Sequence, residues 1–414
     1  MSITINTNVI RTVPQVNDAG LALVILKYAR EIGATTEAPI RVNNYTELEA
    51  AYELPTTTPT TVQTKSARRE LAVVEYMLSQ SVNLILLSTE TVGTIADADL
   101  LKVAEVDDLG YRIILVPYDL QTDTTVATKM IAFVADKDVE LFLDIDPTLT
   151  TTNIEDARDD VKVAISEAVI SEAAYSGKVS LFLNMGLPNN YVSSFNDATY
   201  NMTAYMDADA DLVYWYGIPL SAVVAARKSS LLISNTPWFP VAGEKHGLIP
   251  EFNSIYVTYL SSEKITIQAL DINLAINKAG LGIVIVSQNT LARVSTDDTD
   301  KTNPLIRGHV ITQALYIKRY MKVITESIMF APHITKTYNN WELKVNHFME
   351  DIKGGDGITY YQVVTGPKVM SAADVAAGIF RGTLSYHPIN VIESAIITLN
   401  ILETEDSGVL VEGV

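Results

Sequence analysis

Short apolar runs alternate with amphipathic stretches along residues 21–184. The apolar runs have the length of strands, and they cover residues 21–26, 82–87, 112–116, 139–143 and 179–183. The stretches between them repeat apolar positions every three or four residues, as helices do, and they cover residues 45–52, 66–79, 96–107, 124–135 and 154–175. Asn44, with Glu47 three residues on, predicts the start of the first helix. Repeated strand–helix units predict an α/β fold with a mainly parallel sheet covered by helices.

The pattern is less regular beyond residue 184. We predict helices at 221–232 and 263–279 and a strand at 281–286. The polar run 295–303 predicts a domain boundary. Beyond it, the pattern predicts two helices and three strands, at 308–330, 336–352, 359–364, 379–386 and 394–402. The chain therefore divides into an N-terminal arm (1–20), an outer α/β domain (21–303), an inner α+β domain (304–392) and a C-terminal arm (393–414).

Both ends of the chain read as strands separated from the body by polar residues. The apolar positions of these two segments are Ile3, Ile5, Val9, Ile396, Ile397, Leu399 and Ile401. A strand detached from its own domain finds backbone partners only at an exposed sheet edge. We therefore expect both arms to pair with other subunits and to exchange strands between them.

Composition and charge exclude several classes of function. The 414 residues include no cysteine, so disulfides and thiolate chemistry are excluded. The 49 acidic residues outnumber the 30 basic ones, which gives a net charge of −19 and argues against general binding to nucleic acid or anionic membranes. No apolar stretch approaches the ~18 residues of a membrane span, so we expect no membrane insertion.

The charge balance inverts within residues 307–347. This segment holds six cations against two anions, and Lys318, Arg319 and Lys322 lie together on the first of its two predicted helices. A solvated basic helix face is one interpretation. The other is a docking surface for an acidic partner, which the local inversion favours.

One motif suggests catalysis. Asp144 and Asp146 follow an apolar strand as Asp-x-Asp-x-Thr, which is similar to the first motif of haloacid-dehalogenase-type phosphatases, with a nucleophilic Asp, a general acid/base Asp and bound Mg²⁺. An aspartate that merely ends a strand is the competing interpretation. No lysine and metal-binding aspartate pair follows at later strand ends, and Asp297-Asp298 lies in a polar loop. We favour the structural interpretation.

The other candidate motifs are incomplete. Asp207 to Asp211 has calcium-loop spacing but lacks the glycine at the sixth position and the glutamate at the twelfth. The five histidines show no metal-ligand spacing, and the Gly280-Leu-Gly282 pair precedes a strand instead of following one. We therefore expect no catalytic residue, no metal and no cofactor.

An ordered set of landmarks resembles the tail sheath proteins of contractile phage tails and contractile injection systems. The similarity covers nearly the whole chain and is strongest from residue 237 onward. It rests on Pro39–Leu48, Pro237-Trp-Phe-Pro-Val-Ala-Gly243, Leu270-Asp-Ile-Asn-Leu-Ala-Ile-Asn277, Ala314-Leu-Tyr-Ile-Lys-Arg-Tyr320, Trp341, Phe348 and Gly382-Thr-Leu-Ser-Tyr-His-Pro388.

This resemblance implies a structural subunit of a contractile sheath. Such sheaths form stacked hexameric rings around a tail tube and contract to drive the tube through a target envelope. The implied partners are other copies of the chain, the tail tube protein, and baseplate and tail terminator proteins, in a virion tail assembled in the cytoplasm of a bacterial host. The inner domain would face the tube, with Lys318, Arg319 and Lys322 in contact. A magnesium-dependent phosphatase using Asp144 and Asp146, or a non-contractile shell protein, are the alternatives.

Overall fold

The structure is a computed structural model. It describes residues 21–29, 31–32, 39–52, 62–89, 94–105, 112–116, 124–135, 137–145, 149–167, 177–188, 217–292, 304–391, 399–404 and 407–411. Within these ranges, every helix is too short or too polar to cross a bilayer.

An eight-stranded sheet organises most of the described chain. Its strands are β1 (Ala22–Leu26), β2 (Ile40–Val42), β3 (Leu84–Ser88), β4 (Ile113–Val116), β5 (Glu140–Ile145), β6 (Val179–Leu183), β10 (Asn273–Lys278) and β11 (Gly282–Ile285). They lie in the order β11-β10-β6-β5-β4-β1-β3-β2. The six central strands are parallel, and the edge strands β2 and β11 are antiparallel. The predicted mainly parallel sheet is confirmed.

Helices cover both faces of this sheet, because its central strands are buried on both sides. One face packs against α1 (Tyr45–Ala51), α2 (Val62–Ser79) and α6 (Leu220–Ile233). The other packs against α3 (Asp97–Glu105), α4 (Thr124–Val134), α5 (Thr151–Glu167) and α8 (Ser261–Ala269). Asn44 caps α1 by accepting from the Glu47 amide at 3.0 Å, as predicted.

The predicted helix at 263–279 is wrong in its second half. Helix α8 ends at Ala269, Asp271 adopts a left-handed φ of 62°, and β10 follows. Ile272, Leu274 and Ile276 alternate along the sequence, which is the strand period, and Ile272 and Leu274 are fully buried. Nearby lie a short helix α7 (Gly243–His246) and a small sheet of β7 (Met185–Pro188), β8 (Ile218–Pro219) and β9 (Phe252–Ile255).

The C-terminal region has its own apolar cluster between two long helices. Helices α9 (Gly308–Glu326) and α10 (Thr335–Gly354) pack together around Tyr320, Trp341 and Phe348. Strands β12 (Ile358–Thr365) and β13 (Gly382–Pro388) form an antiparallel pair beside α10, with the short helix α11 (Ala372–Ala376) between them. These elements combine helices with antiparallel strands, and the division of the chain into an outer and an inner domain stays a prediction.

The C-terminal arm differs from its prediction. Strand β14 (Leu399–Thr404) pairs antiparallel with β15 (Ser407–Val411), so this part of the arm is a hairpin instead of the single predicted strand. The backbone of Leu399 and Ile401 lies in β14. Ile396 and Ile397, like Ile3, Ile5 and Val9, lie outside the described residues.

Candidate functional site

Asp144 caps a helix. At the carboxyl end of β5, its Oδ2 accepts from the Ser221 hydroxyl at 2.5 Å and its Oδ1 from the Ser221 amide at 3.3 Å. Ser221 lies in the first turn of α6, whose N-terminal amides carry partial positive charge. The Asp144 side chain is buried. Its carboxylate is therefore committed to docking α6 onto the sheet.

Of the two phosphatase candidates, the structure describes only Asp144. Asp146, and the acidic segments 207–211 and 297–298, lie outside the described residues. Across the described ranges, no three His, Asp or Glu side chains are placed to hold a metal ion. The structure thus supports the strand-ending interpretation of Asp144 that the sequence favoured.

A second buried carboxylate fills the loop after β1. Glu70 of α2 accepts from the backbone amides of Lys27, Tyr28 and Ala29 at 2.8–2.9 Å. The sheet order places β1 between β3 and β4, where the winding of the sheet reverses. Such a reversal is where α/β sheets commonly bind ligands outside their carboxyl ends. Here the chain's own carboxylate occupies the amides that a phosphate would need.

The three predicted tube-facing cations have different surroundings. The Lys318 ammonium lies 3.0 Å from the Asp138 carboxylate, and the Arg319 guanidinium donates to the Asp138 carbonyl at 3.4 Å. Arg319 is buried, whereas Lys322 is exposed. Two of the three cations thus hold α9 against the connection between α4 and β5. Their contact with a tube stays a prediction, and it rests most directly on Lys322.

A buried polar cluster joins the sheet to α9. Lys228 of α6 forms an ion pair with Glu140 of β5 and donates to the Thr312 hydroxyl of α9 at 2.7 Å. That hydroxyl lies 2.8 Å from both the Glu140 carboxylate and the Gly308 carbonyl. All three side chains are almost fully buried. Glu140, Phe142 and Asp144 alternate along β5, so a single strand face positions both carboxylates against α6.

The tryptophan loop that carried much of the resemblance makes a second tie. The Trp238 indole donates to the Gly355 carbonyl at 2.7 Å, just beyond the end of α10. A Cβ at Gly355 or Gly357 would lie within 2.8 Å of the Trp238 ring, so both positions need glycine for this close approach. The Gly-Gly-Asp-Gly sequence therefore lets the backbone pack directly against the Trp238 ring.

The β12–β13 pair offers backbone edges for strand addition. Within the described residues, each of these strands pairs only with the other, which leaves an outer edge on both. Tyr361, Val363, Leu384 and Tyr386 pack toward α10. A third strand can add to such a pair, because α10 supports one face of the sheet and the outer edges have backbone groups free of strand pairing within the described residues.

Sequence reasoning missed two features of this region. It did not single out Phe330, which the structure places fully exposed at the turn between α9 and α10 with φ at 64°. It also missed β15, where the alternation is interrupted by Gly408. The pattern around residue 330 continued the helical period, so only the following Ala-Pro pair signalled that α9 ends.

Comparison with solved structures identifies the fold. A chain of the anti-feeding prophage helical sheath in its contracted state matches with a TM-score of 0.64 and 13% identity, covering 94% of both chains. The chain has the tail sheath fold. A chain from the six-fold symmetrised baseplate of the same prophage shares this fold, with a TM-score of 0.65, 11% identity and 94% coverage of both chains.

The sheath fold also occurs in two bacterial sheath tail proteins. The one from Desulfitobacterium hafniense matches with a TM-score of 0.51 and 11% identity, covering 89% of this chain and 94% of its own. The one from Listeria innocua matches with a TM-score of 0.52 and 8% identity, covering 89% and 95%. No protein-family profile and no curated protein sequence matches the chain.

Proposed function

We propose that this chain is the structural subunit of a contractile tail sheath. It polymerises as stacked hexameric rings around a tail tube and contracts to drive the tube through a target envelope. The observation that carries the proposal is the match over 94% of both chains to a subunit of a contracted helical sheath. A match to a baseplate chain supports association with baseplate proteins as well.

The terminal arms link the subunits in this proposal. Residues 1–20 and 393–414 add strands to neighbouring copies, with Ile3, Ile5, Val9, Ile396, Ile397, Leu399 and Ile401 as their apolar positions. The open edges of β12 and β13 supply acceptor backbone, and main-chain hydrogen bonds give affinity there without special side chains. The β14–β15 hairpin belongs to the C-terminal arm, and in this proposal it adds to a neighbouring sheet as a pair of strands.

The inner region faces the tube in this proposal. Exposed Lys322 makes the electrostatic contact, while Lys318 and Arg319 fix the orientation of α9 through Asp138. Exposed ion pairs contribute about 0–1 kcal/mol each and are screened by salt. Repetition over many subunits sets the register, while each contact stays weak enough to break during contraction. A tail terminator caps the assembly, which forms in the host cytoplasm and ends in the tail particle.

Electron microscopy of the purified protein tests the proposal. Negative-stain images should show tubes or stacked rings, and a tail tube protein from the same source should template longer and more regular ones. A parallel assay with p-nitrophenyl phosphate and Mg²⁺ should give only background hydrolysis. A chain that stays monomeric at every concentration and salt tested, or that turns over the phosphoester, overturns the proposal.

A further inference from the structure

The turn between α9 and α10 holds apolar side chains in solvent. Phe330 is fully exposed, and Met329 and Ile334 are 59% and 50% exposed. We call residues 327–334 the Phe330 turn. A φ of 64° is uncommon for a residue with a bulky side chain, because it brings Cβ close to the following carbonyl oxygen. Neither the left-handed backbone at Phe330 nor the exposure of its ring stabilises the folded monomer.

The Phe330 turn is held in place by its neighbours. Ile328 is buried in the cluster between α9 and α10 and anchors the turn from within. The Met329 amide donates to the Glu326 carbonyl at 3.1 Å, and the Ala331 amide donates to the Ile328 carbonyl at 3.0 Å. His333 contacts the hydroxyl of buried Tyr338 at 3.1 Å. Phe330 is therefore presented in a preformed geometry, which lowers the entropy lost on binding.

Lysines lie around the Phe330 turn. Lys336 is exposed in the first turn of α10, and Lys344 donates to the Ser327 hydroxyl at 2.8 Å. An exposed aromatic anchor beside cations fits a partner surface that combines apolar side chains with carboxylates. The partner surface should therefore carry both exposed apolar side chains and acidic residues.

The chain itself carries a surface of that kind. Helix α5 has five acidic residues against two basic ones, and Asp156 and Asp160 are exposed. Helix α8 packs beside α5, and its N-cap residue Leu260 and its Ile265 are each 69% exposed. We call these four residues the α5–α8 surface. Its apolar side chains and carboxylates complement the Phe330 turn in both polarity and charge.

We propose that the Phe330 turn of one subunit docks on the α5–α8 surface of a second copy of this chain. Because the two surfaces differ, the contact is head-to-tail, and each docked pair leaves one Phe330 turn and one α5–α8 surface free. Such contacts propagate into rings or helical arrays. The inference rests on the proposed function, since it assigns a contact between subunits of the proposed sheath.

Phe330→Gly tests the anchor without disturbing the turn. Glycine adopts the φ of residue 330 freely, so the monomer keeps its circular dichroism spectrum and thermal midpoint. We expect the critical concentration for polymerisation, measured by sedimentation, to rise at least tenfold. Ile265→Ser should act similarly, whereas Leu101→Ser, at an equally exposed site on α3, should leave it unchanged. Phe330→Gly polymers that form at the wild-type concentration overturn the inference.

Single-cysteine variants identify the contact directly, because the chain has no cysteine of its own. A mixture of Phe330→Cys and Ile265→Cys should form disulfide-linked dimers under polymerising conditions, and neither variant alone should do so. Dimers from Phe330→Cys alone, or none from the mixture, overturn the docking. Wild-type protein that never polymerises overturns the proposed function as well, whereas normal wild-type polymers without the mixed cross-link overturn this inference alone.

Discussion

Glu70 and Asp144 lie at the carboxyl ends of parallel strands, where α/β proteins often hold ligands. Each carboxylate here binds backbone amides of its own chain instead. Both side chains are buried, and their hydrogen bonds compensate part of the free energy that it costs to remove a carboxylate from water. At the residue scale, these two side chains assemble the sheet layers.

The buried position of Glu70 makes stability depend on pH. Burial raises the pKa of Glu70 from 4.5 to about 7, against the backbone amides that lower it. A carboxyl whose pKa is higher in the folded state stabilises the fold fully below the unfolded pKa, and this contribution is lost as the pH rises through the folded value. Glu70 should thus add up to about 3 kcal/mol near pH 4, relative to pH 8.

Urea unfolding of wild type and Glu70→Gln across about pH 4 to 8 measures this contribution. We expect the difference between their midpoints to change with pH, because glutamine does not titrate and cannot follow the carboxyl group. Parallel midpoint curves over that range would show that Glu70 has the same pKa in the folded and unfolded chains.

Asp144→Ala should lower the free energy of unfolding by about 1–2 kcal/mol, because α6 loses its cap and the Ser221 hydroxyl loses its acceptor. Asp144→Asn keeps an acceptor oxygen and should lower it less. Denaturant unfolding measures both effects, with Asp156→Ala on the exposed face of α5 as a control. Equal stability of all three variants and wild type contradicts the capping role.

At the scale of elements, the contacts of α6 and α9 with β5 join the two regions of the chain. Lys228, Glu140 and Thr312 bring together a helix of the sheet layer, a central strand and the first turn-and-a-half of α9. Burial lowers the pKa of Lys228, and its pairing with Glu140 opposes that shift. A buried pair of this kind is weakened most by removing one partner.

Lys228→Met should therefore lower the apparent free energy of unfolding by about 3–5 kcal/mol, since Glu140 is left buried without its cation. The double variant Lys228→Met with Glu140→Leu should recover most of that loss, because both charges are gone. Thermal and urea unfolding of the single and double variants supply the comparison. Additive losses in the double variant would mean that the two side chains act independently.

At the scale of the whole molecule, the arms should govern assembly and the body should govern folding. The buried clusters of the described residues lie between residues 21 and 391, and we expect a chain without residues 1–14 to fold into a soluble monomer. We expect this truncated chain to form no tubes in negative stain. The matched test is Ile3→Ser with Ile5→Ser, which should abolish tubes, against Ser2→Ala with Thr4→Ser on the opposite face of the predicted strand, which should not. Normal tubes from the truncated chain refute a linking role for the N-terminal arm.

Hydrophobic periodicity predicted the central strands well, because β1, β3, β4, β5 and β6 are continuous apolar runs buried on both faces. It failed at 263–279, where a left-handed Asp271 divides a helix from a strand within one apolar pattern. Hydrophobic periodicity carries no information about which polar side chains contact each other. Asp138 and Lys318, or Lys228 and Glu140, are distant in sequence, so only the fold shows that these charges are paired.

Two of the contacts between the sheet region and the C-terminal helices also form a path for mechanical load. Lys228 and Thr312 hold the start of α9, and Trp238 holds the end of α10 at Gly355. A pull entering through β12 and β13 reaches the sheet through both ties at once, in parallel. Bonds loaded together share the tension, so neither must carry all of it. In the proposed sheath, tension from a neighbouring subunit therefore passes through two contacts of the folded chain.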